Sequence, residues 1–186
     1  MGGSISSGSG VIKGLVDCGY SVDIISDDLM PTVEESKSIK YIFFQKLLFR
    51  RKFAETKWVI SERINNFITS FLFRLVLRIA LPNLLRNNSY DLVYLRASHF
   101  ASDALSICND FNIPSILEVN KPLSMQPYNK PSGFSRIEKK TTIKKIPNEI
   151  KQYEYATLIS VDSTLRAKWI IDFVDKRFET KIMINH

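Results

Sequence analysis

Short hydrophobic runs that alternate with helical patterns are the feature that most constrains the fold of this chain. Five runs are short enough for buried strands, at residues 22–25, 90–95, 115–119, 158–161 and 181–184. Apolar residues spaced three or four positions apart separate most of these runs and predict helices. Because parallel strands need crossover connections, the alternation predicts right-handed β-α-β units and a mainly parallel sheet.

The predicted helices follow from that spacing and from their end signals. Residues 11–18 form a short helix with Gly19 as its C-cap, and residues 39–85 form a long, interrupted helix. The predicted buried face of the long helix consists of Phe67, Ile68, Phe71, Leu75 and Ile79. Three further helices are predicted at 101–111, at 149–156, and from an N-cap at Ser163 to about residue 174. Residues 121–147 contain several prolines among lysines and predict a loop.

Size and composition indicate one globular domain with a substantial core. The chain has 186 residues, of which 45% are hydrophobic and 24% are charged. Cys18 and Cys108 both lie in apolar helical patterns, which predicts buried, reduced thiols in the cytosol. We expect no signal peptide, because glycines and serines follow Met1, and Arg74 and Arg78 argue against a membrane span at 64–85. We therefore expect a cytoplasmic protein, free or peripheral on the inner face of the membrane.

The positive charge is concentrated in one segment. Residues 40–86 contain ten Lys or Arg residues against two Glu residues, a net charge of +8, whereas the whole chain carries +7. The overall charge therefore does not indicate nucleic-acid binding. Within the segment, residues 41–58 interleave aromatic and basic side chains. Two interpretations stay open: contact with an anionic membrane surface, or an ordinary amphipathic helix with a solvated basic face.

Polar residues follow the predicted strands at the ends where ligands bind in open parallel sheets. Arg96, Ser98 and His99 follow one strand, Glu118 and Asn120 end the next, and Asp162 and Ser163 follow a later one. Glu118 and Asn120 are alternate residues and should point to the same side. A carboxylate and an amide there suit sugar hydroxyls, and the alternative is burial of Glu118 against Arg96.

The remaining strand-end residues also have two interpretations each. Arg96 is a candidate partner for an anion or an acid such as Glu118, and His99 is either an acid–base group or a cap. Asp162 and Ser163 are interpreted as structural. The glycines at positions 2, 3, 8 and 10 predict a turn that cradles a phosphate, with a flexible terminus as the alternative.

Several of these stretches resemble the N-terminal domain of family-four glycosyltransferases, which are retaining enzymes of the GT-B fold. The most telling stretches are Y-D-L-V-Y-L-R-A-S at 90–98 and P-S-I-L-E-V-N-K-P-L at 114–123. They are similar to the family's D-V-V-Y-x-R strand and its P-x-x-L-E-V-N-x-P-L segment. The opening G-G-S, the S-V-D-S at 160–163 and the K-I-M-I-N-H at 181–186 also resemble family segments.

The resemblance implies a Rossmann-like α/β domain, with helices on both faces of the sheet, that forms the N-terminal half of a GT-B fold. It implies transfer of a sugar, with retention, from a nucleotide-sugar co-substrate to a glycan or lipid-linked acceptor, without metal or tightly bound cofactor. By position, Glu118 and Asn120 would be the catalytic residues beside the reacting sugar. Gly3 and Ser4 would face the donor phosphates, and Arg96, Ser98, His99 and Lys121 would contact substrate.

The ends of the sequence indicate a fragment. No strand precedes the glycines, and the last predicted strand stops at Asn185 and His186. We therefore expect residues 1–186 to be one domain, truncated at both ends, whose missing partner is a C-terminal donor domain. We also expect no sugar transfer by the chain alone.

Two other function classes stay open. A dinucleotide-dependent oxidoreductase or epimerase would place Asp27 or Asp28 on the ribose. It needs G-x-G-x-x-G directly after a strand, but Gly8-x-Gly10 is followed by Gly14, one position late. A non-enzymatic module that binds anionic membranes through residues 40–86 is the second class.

Overall fold

The computed structural model describes residues 3–26, 37–43, 62–98, 101–125 and 136–185. The chain divides into two compact units, Met1–Phe73 and Arg74–His186. The elements are α1 (Gly3–Asp17), β1 (Val22–Ser26), β2 (Ile39–Phe43), α2 (Glu62–Asn87), β3 (Val93–Arg96), α3 (Ala101–Asp110), β4 (Ser115–Val119), α4 (Arg136–Tyr155), β5 (Leu158–Val161), α5 (Thr164–Trp169) and β6 (Ile182–Ile184). A π-helical turn, Ile170–Val174, and a 3-10 helix, Lys176–Lys181, connect α5 to β6.

The N-terminal unit contains α1 and a parallel pair of strands. β1 and β2 pair in the register Val22 with Ile39, and Ile12 of α1 packs on Ile24 in a small apolar cluster. Gly19 has φ +88°, a conformation that glycine adopts without strain. Its N–H donates to the Val16 carbonyl at 2.9 Å, and the next N–H donates to the Leu15 carbonyl at 3.0 Å. This Schellman pattern confirms the predicted C-cap.

The C-terminal unit is built on a four-stranded parallel sheet in the order β3-β4-β5-β6. Neighbours in the sheet are also neighbours in sequence, and each connection contains a helix. The predicted mixed α/β fold with mainly parallel strands is thus confirmed, and it is consistent with a Rossmann-like architecture. The predicted distribution of helices over both faces of one sheet stays a prediction.

One face of this sheet forms the main core. Leu117 and Val119 of β4 and Ile159 and Val161 of β5 are almost completely buried. They pack against residues of the connecting helices, namely Ala101, Leu105, Tyr153, Ala156, Ala167, Ile170 and Phe178. Side chains alternate along a strand, so the residues between them, including Glu118 and Ser160, lie on the opposite face.

One predicted helix and one predicted loop differ from the structure. Residues 39–43 form β2 rather than the start of a helix, because their β-branched and aromatic side chains favour a strand. α4 begins at Arg136, inside the predicted loop, and continues through Pro147. A proline inside a helix costs about 3 kcal/mol, whereas the burial of Glu149, Gln152 and Tyr153 in the C-terminal half of α4 favours the helix.

Two predicted burial patterns are also wrong. Leu75 and Ile79 of α2 are 48% and 60% exposed, whereas Leu77, Leu81 and Leu85 are buried among the side chains described from residue 74 onward. Both sets have the spacing of one helical face, and the tertiary contacts decide which is covered. The side chains of Phe67, Ile68 and Phe71 lie outside the described set. Of the two free cysteines, Cys108 is buried as predicted, but Cys18 is exposed in the turn after α1.

Candidate functional site at the carboxyl ends of β3 and β4

Three polar residues lie side by side near the carboxyl ends of neighbouring strands. Arg96 of β3 is the register partner of Glu118 of β4, and Glu118 is the partner of Ser160 of β5. Glu118 is 8% exposed and Ser160 is 1% exposed. The sheet face opposite the main core therefore carries a buried carboxylate next to a guanidinium, at the end where parallel sheets bind ligands.

Arg96 and Glu118 form a close ion pair. Arg96 Nε lies 2.8 Å from Glu118 Oε2, and the two side chains are 29% and 10% exposed. An unpaired charge at this depth would cost several kcal/mol, so the guanidinium offsets the desolvation of the carboxylate. The burial of Glu118 against Arg96, which was one of two interpretations from sequence, is thus present.

Asn120 completes a closed ring of polar contacts. With its amide nitrogen toward the carboxylate, it donates to Glu118 Oε1 at 2.9 Å, and its oxygen accepts from Arg96 Nη2 at 2.5 Å. Arg96, Glu118 and Asn120 therefore each contact the other two. The sequence prediction that Glu118 and Asn120 point to the same side is confirmed.

Tyr94 adds a third donor to the Glu118 carboxylate. Its hydroxyl is hydrogen-bonded to Glu118, and burial raises the Tyr94 pKa, with further contributions from the negative charge of Glu118 and from that hydrogen bond. Sequence analysis missed Tyr94, although its place two residues before Arg96 puts it on the same face of β3.

The contacts of Glu118 define its role in the structure. Its carboxylate accepts from Tyr94 and Asn120 and pairs with Arg96, so it holds the guanidinium and the amide in place. Asn120 itself is partly exposed and lies beyond the end of β4. An amide, which both donates and accepts, can recognise hydroxyl groups, and a guanidinium favours anions. The predicted catalytic role of Glu118 stays a prediction.

The polar face continues across the sheet to β6. Asn185 follows β6, and its side-chain amide donates to Ser160 Oγ, while its backbone N–H donates to the Val161 carbonyl at 2.8 Å. Neither Ser160 nor Asn185 was predicted as a site residue. The strand register was the missing information, because only pairing places Ser160 beside Glu118.

The loop after Asn120 is anchored by a buried carboxylate of α4. The backbone N–H of Ser124 donates to Glu149 Oε2 at 3.1 Å, and the Tyr153 hydroxyl donates to Glu149 Oε1 at 3.1 Å. The Trp169 indole N–H donates to Ser124 Oγ at 3.1 Å. Burial raises the pKa of Glu149, and its hydrogen bonds to Ser124 and Tyr153 oppose that effect. Sequence analysis missed this network, and its only local signal was a Glu four residues before a Tyr on one helix.

The other predicted substrate contacts are placed at the margins of this cluster. Ser98 is exposed just beyond β3, and its carbonyl accepts from the Ala101 N–H at 3.3 Å, at the start of α3. Lys121 directly follows Asn120 and is partly exposed. His99 lies outside the described residues. Substrate contacts of Ser98 and Lys121 stay predictions.

The predicted glycine-rich turn is not a turn in the described part of the chain. Gly3 and Ser4 lie in α1, which begins at Gly3 rather than at residue 11. Glycine costs about 1 kcal/mol in a helix relative to alanine but does not forbid one. The prediction of a loop between Gly3 and Gly10 is therefore wrong, and phosphate contacts of Gly3 and Ser4 stay predictions.

Asp162 and Ser163 lie between β5 and α5, and their interpretation as structural residues stays a prediction. Asp162 forms an ion pair with Arg166 one helical turn later. Ser163 is the N-cap residue of α5, with extended backbone and no side-chain capping bond, so the prediction of its position is confirmed. Its carbonyl accepts from the N–H groups of Arg166 and Ala167.

Part of the basic segment is paired within the C-terminal unit. Arg74 and Arg78 of α2 both donate to the Asp103 carboxylate of α3, at 2.5 Å from Arg74 Nε and 2.9 Å from Arg78 Nη2. Burial would raise the pKa of Asp103, but the two guanidinium groups hold it below its usual range. Residues 44–61, which include most of the basic-aromatic stretch, lie outside the described residues.

Neither metal ligands nor a membrane-spanning helix is found in the ranges that the structure covers. The His, Cys, Asp and Glu residues in these ranges form no group of three or more that could hold a metal ion. None of the helices in those ranges is both long and apolar enough to cross a bilayer. No protein-family model matches the sequence, and a search of curated proteins found no match to it.

Proposed function

We propose that this chain is the acceptor-side domain of a retaining, nucleotide-sugar-dependent glycosyltransferase of the GT-B type. The observation that carries the proposal is the closed Arg96–Glu118–Asn120 cluster at the carboxyl ends of two adjacent parallel strands. These three residues lie in the two stretches whose sequence most resembles the glycosyltransferase family. The cluster gives that resemblance a physical basis, because all three side chains contact one another.

The chemistry of the cluster suits the proposed reaction. The new bond joins an acceptor hydroxyl oxygen to the anomeric carbon, the bond from that carbon to the donor phosphate breaks, and the hydroxyl proton leaves with the phosphate. The amide of Asn120 is suited to orient sugar hydroxyls. The guanidinium of Arg96 supports negative charge at the departing phosphate, while Glu118 holds both groups in place.

The proposed partners follow from the same reaction. The donor is a nucleotide sugar, the acceptor is a glycan or a lipid-linked sugar, and a second domain binds most of the donor. The proposal requires no metal or tightly bound cofactor. The proposal also includes a cytoplasmic location and contact of the basic segment with an anionic membrane that carries the acceptor.

The test is sugar transfer by the complete open reading frame that contains this sequence. The protein is incubated with a panel of nucleotide sugars and with glycan and lipid-linked acceptors, and release of the nucleotide is measured together with the anomeric configuration of the product. We expect transfer with retention by the complete protein and none by residues 1–186 alone. Inversion, or no transfer with any donor, contradicts the proposal.

Binding assays on the same protein preparation test the two other function classes. Specific binding of a nicotinamide dinucleotide in place of a nucleotide sugar would favour the oxidoreductase or epimerase interpretation. Salt-sensitive binding to anionic liposomes, lost on neutralising Arg50, Arg51 and Lys52, would favour the membrane module if transfer is absent.

A further inference from the structure

The loop that follows Asn120 is unusually well anchored for a segment outside the sheet. Pro122, Leu123 and Ser124 are all buried, and the Met125 N–H donates to the Pro122 carbonyl at 3.0 Å in a tight turn. Three residues separate Ser124 from Asn120, and one of them is a proline. A displacement of Ser124 therefore passes to Asn120 through a short segment with little freedom.

Glu149 supplies the anchor from a different element. It is 1% exposed, and its carboxylate accepts the Ser124 N–H, with additional hydrogen bonds from the Leu123 backbone and the Ser124 hydroxyl. The Tyr153 hydroxyl donates a hydrogen bond to the other carboxylate oxygen. The side chain of Glu149 thus accepts from the loop backbone at one oxygen and from Tyr153 at the other, which no apolar side chain can do.

Helix packing alone does not explain a carboxylate at this position. A buried acid is costly, and an apolar residue of similar size generally gives equal or greater stability. The donors that Glu149 gathers come mainly from the loop, and Trp169 of the adjacent α5 reinforces the same loop through Ser124 Oγ. The network therefore joins α4, α5 and the loop, and it ends four residues from the Arg96–Glu118–Asn120 cluster.

We infer that Glu149 is a positioning residue that holds the loop of residues 121–125 and, through it, sets the position of Asn120 in the candidate site. Glu149 does not itself reach the cluster; it acts through the backbone of Leu123 and Ser124. This role does not depend on which reaction the site performs.

The experiment uses the whole 186-residue chain and needs no ligand. Amide hydrogen exchange at Leu123 and Ser124 and the side-chain NMR signals of Asn120 are compared in the wild type, Glu149→Leu and Glu149→Gln. Loss of the hydrogen bonds to Glu149 should accelerate exchange of the two loop amides roughly 10- to 100-fold in Glu149→Leu. The Asn120 side-chain signals should shift in the same variant.

The conservative variant separates positioning from simple packing. Gln keeps one acceptor oxygen for the loop amides, and its NH₂ group can donate to Tyr153, so Glu149→Gln should largely restore slow exchange and the Asn120 signals. Glu154→Gln is the matched control, because Glu154 lies on the same helix, is exposed and contacts Arg177. It should change neither readout.

The outcomes decide the inference independently of the proposed sugar transfer. Unchanged loop exchange and unchanged Asn120 signals in folded Glu149→Leu would overturn it. If Glu149→Leu does not fold, the decision passes to Glu149→Asp, whose side chain is one methylene shorter, so that its carboxylate is withdrawn from the Ser124 N–H. In that variant, unchanged exchange and Asn120 signals would equally overturn it, whereas faster exchange with shifted Asn120 signals would support it.

Discussion

Removal of the negative charge from Glu118 should destabilise the C-terminal unit by an amount that the structure allows us to calculate roughly. In Glu118→Gln the side chain keeps its length, but Arg96 loses the charge that pairs with it at 2.8 Å. Gln keeps one acceptor oxygen for the donors from Tyr94 and Asn120. The change therefore tests whether the cluster depends on the carboxylate or merely on a polar side chain.

The expected cost lies between the values for buried and surface pairs. Breaking a fully buried pair costs about 3–5 kcal/mol, and a surface pair is worth about 0–1 kcal/mol. Glu118 is 10% exposed but Arg96 is 29% exposed, so solvent screens part of the uncompensated guanidinium. We expect Glu118→Gln to lower the free energy of unfolding by roughly 2–3 kcal/mol.

A double-mutant cycle isolates the pair from other effects of the substitution. The variants are Glu118→Gln, Arg96→Met and the combination, each unfolded in urea and followed by circular dichroism and Trp fluorescence. The two losses should be non-additive, with a coupling free energy of about 1–3 kcal/mol. Glu154→Gln, an exposed acid of the same unit, should change stability by less than about 0.5 kcal/mol. Additive losses, or a Glu118→Gln loss no larger than the control, would refute the reasoning.

Three further perturbations test the core and the two other carboxylates. The pKa of Glu149 is raised in the folded state from its ordinary value of 4.5. Glu149 therefore contributes fully to stability below pH 4.5, and this contribution is lost as the pH rises through the pKa of the folded state. Wild type should therefore lose stability relative to Glu149→Gln as urea unfolding is repeated upward from pH 4. The pKa of Asp103 is lowered in the folded state, so Asp103→Asn should lower the free energy of unfolding by about 1 kcal/mol at pH 7. This loss should shrink as the pH falls below about 4 or as salt is added. If wild type and Asp103→Asn differ in stability as much at pH 3 as at pH 7, the pairing is contradicted. Leu105 is fully buried and Leu165 is 66% exposed, so Leu105→Ala should cost about 2–5 kcal/mol and Leu165→Ala less than about 0.5 kcal/mol in thermal unfolding.

The elements with strong local signals were predictable from sequence. β4 was predicted with the bounds that the structure shows, because a proline precedes its apolar run and polar residues follow it. The buried face of α3, with Ala101, Leu105 and Cys108, also follows from its spacing. In these segments, local pattern and tertiary environment agree, and agreement of this kind is what makes prediction succeed.

The predictions of secondary structure and burial fail where two local patterns are equally compatible with the sequence and tertiary contacts determine which one forms. α2 has two apolar faces with helical spacing, and the sequence does not say that Leu81 is covered and Ile79 is not. β2 was merged into a helix because its five residues adjoin a long apolar-basic stretch. The helical state of Gly3 and Ser4 was missed because glycines predict turns more strongly than helices.

The three residues of the Arg96–Glu118–Asn120 cluster were predictable from sequence, but the residues around the cluster were not. Alternation within β4 places Glu118 and Asn120 on one side, and the resemblance singles out Arg96. Ser160 required the strand register, and Glu149 required the packing of α4 against the loop. Both depend on residues more than twenty positions apart in sequence, which no local pattern encodes.

The most direct test of the proposed function is the kcat/KM for sugar transfer of the complete protein with Asn120→Ala. We expect a reduction of roughly 10- to 100-fold, because a hydrogen-bonding amide at the end of β4 would be lost from the site. Asn109→Ala, at an exposed position of α3, should transfer sugar at the wild-type rate. Equal activity of the two variants would contradict the account, since it would place the reaction away from the Arg96–Glu118–Asn120 cluster.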